Sequence, residues 1–76
     1  MQIAAPEAPA PRGLEAAAVA HHYRRSGGTQ LTVLEVDTAA WRITLGNFPG
    51  VRVSYRWTMR SDTGGFRFVE VEEPAS

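Results

Sequence analysis

The second half of the chain alternates. From Val51 to Arg60, the apolar or aromatic Val51, Val53, Tyr55, Trp57 and Met59 interleave with Arg52, Ser54, Arg56, Thr58 and Arg60. A period of two puts each set on its own side of a pleated strand, so the segment predicts a strand with one aromatic and one arginine-bearing face. Trp41 to Leu45 repeats this on a shorter scale, with Trp41, Ile43 and Leu45 set against Arg42 and Thr44. Gln30 to Val36 and Phe66 to Glu72 complete a set of four strands. Their connections carry turn residues: Asp37–Ala40 with aspartate first, Asn47–Gly50 with the Pro49-Gly50 pair of a type II turn, and Ser61–Gly65. Connections this short join antiparallel neighbours.

Nearer the N-terminus the period lengthens. Gly13 to Arg25 has high helix propensity through its alanines, and Ala16, Val19, Ala20 and Tyr23 recur at helical spacing as its expected buried face. Arg24 and Arg25 complement the dipole in the last turn, and Gly27-Gly28 stops the helix. The predicted fold is therefore α+β: an N-terminal helix packed on a four-stranded antiparallel meander sheet, either open or curled toward a small barrel.

The alternation breaks in the outer strands. Leu31 and Val33 share a face, but Leu34 and Val36 lie opposite; Phe66 and Phe68 share a face, but Val69 and Val71 lie opposite. Two arrangements satisfy this. β-Bulges near Val33-Leu34 and Phe68-Val69 return the apolar residues to one side. Alternatively, both sheet faces are partly apolar, and a single helix leaves one of them uncovered beside the arginines. Arginine mixed with aliphatic side chains is the composition of a protein interface.

With 76 residues the chain has room for one domain. Residues 13–74 are assigned to it. Residues 1–12, rich in alanine and proline, are expected to form a flexible tail. A core this small leaves a marginal monomer and a core-sharing dimer both open. The formal net charge is zero, and all eight cations are arginine. Arginine's planar fork suits carboxylates and phosphates. No cysteine is present, which removes disulfides and thiolate chemistry. With no secretory leader pattern and no apolar run of membrane length, the expectation is a cytoplasmic protein without membrane contact.

Candidate chemistry is sparse. His21 and His22 are adjacent, whereas helical chelation uses i, i+4 spacing, so no metal site is expected. Ser54, His22 and Asp62 supply the residue types of a nucleophilic trio, but no nucleophile-bearing turn surrounds any serine, and no enzyme is expected. Gly27-Gly28 and Gly64-Gly65 open no helix and so offer no phosphate cradle; no cofactor is expected. The remaining candidate is the arginine face: Arg52, Arg56 and Arg60 in steps of about 13 Å along one strand, flanked by Arg42 and Arg67. Glu35, Glu70 and Glu72 are placed to neutralise it by cross-strand pairing. The expected function is a small non-catalytic interaction module of the inhibitor or adaptor type, such as a phage-encoded inhibitor. It binds a protein partner, or a second copy of itself, through this face or an open strand edge. The alternative is a nucleic-acid-binding β-domain using the same arginines, although its stacking aromatics would point the other way.

Overall fold

The structure is a computed structural model that describes residues 9–47 and 50–71. Helix α1 (Leu14–Ser26) is followed by strands β1 (Thr32–Asp37), β2 (Arg42–Gly46), β3 (Arg52–Met59) and β4 (Phe66–Val71). The strands form one antiparallel sheet in the order β1-β2-β3-β4. Its edges, β1 and β4, do not pair with each other, so the sheet is open and the barrel alternative is not realised. Among the described residues no helix is long and apolar enough to cross a membrane.

The helix starts and stops on glycines. At its start Pro11 accepts a hydrogen bond from the Leu14 N–H at 3.1 Å, and at its end the Gly28 N–H donates to Tyr23 O at 2.9 Å. Gly27 takes a φ of 79°, the left-handed turn that closes a helix end and that glycine adopts without a Cβ penalty. The buried face only partly matches the expected one: Val19 packs against the core and Ala20 is half-buried, but neither is the centre of the contact. Leu14 and Ala18 are the fully buried helix residues, while Ala16 and Tyr23 are exposed. The helix is rotated so that its histidines face the sheet. His22 Nδ1 and the hydroxyl of fully buried Tyr55 share a hydrogen bond at 2.8 Å. The His21 ring meets Tyr55 edge-on at 5.0 Å and lies 5.1 Å from Phe68. Arg25 closes the row with an ion pair to Glu70 on β4. Tyr55 needs a polar partner once buried, and only this phase of the helix supplies one.

The core consists of Leu14, Ala18, Leu31, Ile43, Leu45, Tyr55 and Trp57, with Ala10, Val19, Val33, Val36, Val53, Phe66 and Phe68 packed around it. A 13-residue helix spans roughly 20 Å, less than the eight-residue β3 at roughly 27 Å. The strand ends therefore protrude past it. Val51, Met59 and Trp41 are about half exposed, although alternation assigns all three to the core side.

The two irregular strands resolve differently. Val33 pairs with Leu45 and Glu35 with Thr44, leaving Leu34 as the extra residue of a bulge. Val36 thereby returns to the core side, opposite Ile43. Leu34 is turned outward over Gly46, where a Cβ would stand 2.6 Å from Leu34 Cδ1 and 2.8 Å from the Val51 carbonyl oxygen. β4 has no bulge: its register runs unbroken from Met59↔Phe66 to Ser54↔Val71. The bulge expected near Phe68-Val69 is absent, and Val69 and Val71 sit on the arginine face.

One turn departs from expectation, and another keeps its expected aspartate but ends on an unexpected residue. Gly50 does not take a positive φ, as the type II reading required; it approaches Asn47, whose Oδ1 accepts from the Val51 N–H at 2.7 Å. Phe48 and Pro49 lie outside the described residues. In the β1–β2 connection Asp37 Oδ1 accepts from the Ala40 N–H, and Trp41 ends the loop at a φ of 55°. Four-residue hairpin loops of this kind call for glycine or asparagine at that position, and a bulky residue there costs about 1 kcal/mol or more.

Two outcomes test this packing. Gly46→Ala is expected to lower stability by about 1–3 kcal/mol, read as a lower urea midpoint. Adding Leu34→Ala is expected to restore only part of it, because the Val51 carbonyl remains in the way. The second concerns His21, whose pKa is lowered from 6.5 by burial first and then by Arg24, Arg25 and His22. A lowered folded-state pKa means that protonation favours the unfolded chain. His21's contribution is thus complete above the unfolded value and is lost as pH falls from about 6.5 through the folded one. Between about pH 7.5 and pH 5, wild type is expected to lose more thermal stability than His21→Phe, which keeps a ring but no titrating group.

Candidate interaction face

The helix covers one side of the sheet, and the register fixes what stands on the other. Arg42 is directly opposite Arg56, Thr44 opposite Ser54, and Gly46 opposite Arg52. Arg56 is opposite Val69, Ser54 opposite Val71, and Thr58 opposite Arg67. On the β1 side Glu35 faces Thr44 and Asp37 faces Arg42. No described element packs over this face; the helix contacts β1, β2 and β4 from the opposite side.

Small residues form its floor. Thr44 and Ser54 are 3% and 4% exposed, and their hydroxyls bond to each other at 3.0 Å, so neither is left unsatisfied. With Gly46 beside them, the long side chains of Arg42, Arg52 and Arg56 rise above a low, dry strip. Leu34 and Val69, 55% and 60% exposed, flank it as apolar shoulders. Leu34 reaches this position through its bulge, and Val69 through the absence of one.

Four of the five sequence-selected arginines meet here: Arg42, Arg52, Arg56 and Arg67. Arg60 does not join them. β3 ends at Met59, and Arg60 turns to Asp62 in the following loop, with a 3.1 Å ion pair. Of the acids expected to neutralise the face, only Glu35 lies on it. Glu70 is opposite Tyr55, on the helix side, and bonds Arg25; Glu72 lies outside the described residues. Asp37 is the acid that sequence reading missed, since it looked like a turn residue and is also the last residue of β1. Among the described residues neither Asp37 nor Glu35 makes an ion pair within 4 Å, and the same holds for Arg42, Arg52, Arg56 and Arg67.

The other candidate residues are dispersed. Ser54 bonds Thr44 on this face, His22 bonds Tyr55 beneath the helix, and Asp62 bonds Arg60 in a loop. Among the described residues no three histidines or carboxylates gather as a metal-ligating group.

The Arg42–Arg56 pair carries a stability consequence. Like charges directly across a sheet repel, and Arg67 sits diagonally beyond Arg56. Arg56→Glu is expected to stabilise the isolated domain by about 0.2–1 kcal/mol in low salt. The gain should shrink toward zero in about 1 M salt. Urea unfolding at the two salt concentrations reads both outcomes.

The chain matches no family model, none of the curated proteins and none of the solved structures.

Proposed function

We propose that this protein is a non-catalytic interaction module that binds an acidic surface of a protein partner through the uncovered sheet face. The observation that carries this reading is the composition of that face. Arg42, Arg52, Arg56 and Arg67 stand among exposed Leu34 and Val69, over a floor of small, mutually satisfied residues. The aliphatic shoulders supply area that gains from leaving water, and the arginines supply planar donors for carboxylates. Direct opposition of Arg42 and Arg56 costs the free domain stability, and a carboxylate brought between them relieves the repulsion.

A nucleic-acid ligand shares the arginines but gains little else here. Tyr55 and Trp57, the aromatics of β3, are buried on the helix side and offer no stacking platform to a strand on this face.

Affinity purification from the native host, with the whole chain as bait, tests the proposal quantitatively. Wild type is expected to retain a defined protein partner. Arg56→Glu, expected to fold at least as stably, should recover about tenfold less or lower, the loss of one well-placed charged contact. Equal recovery by both would overturn the assignment of this face. Binding of duplex or single-stranded nucleic acid that weakens steeply with salt and is lost in Arg56→Glu would replace it with the nucleic-acid reading.

A further inference from the structure

The register brings two arginines of the uncovered face into the closer kind of cross-strand pair. The Trp57 N–H donates to the Trp41 carbonyl at 3.0 Å, so Trp41 and Trp57 form a hydrogen-bonded pair where β2 and β3 meet. Antiparallel pairs alternate, which makes the next one, Arg42 and Arg56, a non-hydrogen-bonded pair. Such residues stand about 4.5 Å apart at Cα, with both side chains on one face. Thr44 and Ser54, two residues further along each strand, are of the same kind, and their hydroxyls meet at 3.0 Å. Two arginine side chains thus rise next to each other from the middle of the sheet. We infer that they form the seat for one doubly charged oxyanion, the phosphoryl group of a phosphorylated side chain on the protein partner. This seat belongs to the interaction surface proposed above, rests on that reading, and names the group that the surface takes.

Charge favours a dianion over a single carboxylate. Among the described residues the face carries Arg42, Arg52, Arg56 and Arg67 against Glu35 and Asp37, a surplus of two positive charges. One carboxylate between Arg42 and Arg56 leaves one of the two cations uncompensated. A phosphomonoester brings a charge of about −1.5 to −2 and three acceptor oxygens, enough for two guanidinium forks at once. The chain supplies no substitute. Asp37 is directly opposite Arg42, yet the two make no ion pair, and Arg42 is half-buried without a carboxylate partner among the described residues.

The surroundings decide the source of the phosphoryl group. Val69 stands directly across from Arg56 on β4, and Leu34 lies beyond Gly46 on the β1 side; both are more than half exposed. Aliphatic side chains next to the cations suit the residues that flank a phosphorylated position in a polypeptide. Nucleic-acid phosphates are diesters with one charge each, and this face offers their bases no aromatic to stack on. A second copy of the chain presents the same surplus of positive charge, so face-to-face pairing of two copies is repelled.

The test titrates the whole chain, labelled at the arginine nitrogens, with three synthetic peptides, Ala-Val-X-Val-Ala, in which X is phosphoserine, glutamate or serine. Ionic strength is held constant. The phosphoserine peptide is expected to shift the Nε–H resonances of Arg42 and Arg56. It should bind about tenfold more tightly than the glutamate peptide, the worth of one further charged contact. Arg42→Gln and Arg56→Gln relieve the repulsion, so they should fold at least as stably as wild type and each bind about tenfold more weakly. Arg60→Gln, in the loop with Asp62, should change nothing. From pH 7.5 to pH 5 the phosphoryl group, with a second pKa of about 6, gains a proton, and the phosphoserine peptide should bind more weakly. Protonation of Glu35 or Asp37 acts in the opposite sense, and both histidines lie on the other side of the sheet. Inorganic sulfate, dianionic throughout that range, should not weaken.

An absence of shifts at millimolar phosphoserine peptide in folded wild type overturns the seat, and so does equal affinity of wild type and both glutamine variants. Equal affinity for the phosphoserine and glutamate peptides overturns the dianion and leaves the acidic-surface reading standing. So does a native partner that is retained after phosphatase treatment of the lysate and still lost in Arg56→Glu. Failure of the underlying reading is a different result, a partner whose recovery never depends on Arg56. Tighter binding to phosphatidylcholine vesicles containing phosphatidic acid than to the phosphoserine peptide, at equal phosphoryl concentration, overturns the protein source in favour of a membrane.

Discussion

One short helix must close a sheet that is both longer and more apolar than it can cover. α1 reaches the middle of one face, where Leu14 and Ala18 meet Ile43, Leu45 and Tyr55. It is held there by a polar row, His22 to Tyr55 and Arg25 to Glu70, that fixes its rotation as well as its position. The rest of the surface follows from this limited coverage. Strand ends project past the helix and expose Trp41 and Met59, and the opposite face carries the arginines with no described element over it. The candidate binding surface is what a 13-residue helix leaves uncovered.

Most of the architecture was legible in the alternation of β3, because period two in a ten-residue run admits little besides a half-buried strand. The helix phase was not. Histidine counts as polar in a pattern, so the apolar stripe pointed to Ala16, Val19, Ala20 and Tyr23. The helix instead turns His21 and His22 inward, because a buried tyrosine hydroxyl on the facing strand needs a partner. That demand is non-local, and nothing in the helix's own sequence states it. The exposure of Trp41 was equally hidden: it stands beside Trp57 on the side that alternation assigned it, but at the hairpin end, beyond the reach of α1.

The outer strands show why identical patterns diverge. β1 and β4 each have two apolar residues out of phase, yet only β1 bulges. The difference lies across the ladder. Opposite β1 stands Gly46, and the missing Cβ leaves the room into which Leu34 folds. Opposite β4 stand Ser54 and Arg56, with no comparable gap, and the ladder keeps its register. Of the arginine face, four residues were readable from spacing alone. Loss of Arg60 to Asp62 was not, because it depends on where β3 stops hydrogen bonding.

Several local choices in this chain run against its own stability: two arginines face each other across the ladder, a tryptophan occupies a position suited to glycine, and a buried indole N–H lacks an acceptor. A sequence selected only to fold would resolve each with a single substitution. Their placement is uneven. On the arginine face the buried Thr44–Ser54 hydroxyls are paired with each other, whereas the Trp57 Nε1–H, inside the core beneath the helix side of the sheet, has no acceptor among the described residues. The first of the three choices, the opposed arginines, is a deficit that a ligand can correct, by bringing a carboxylate to them. A domain with a core this small has little stability to spare. Keeping two like charges opposed on the uncovered sheet face, with so little stability to spare, is the physical argument behind the proposed arginine surface.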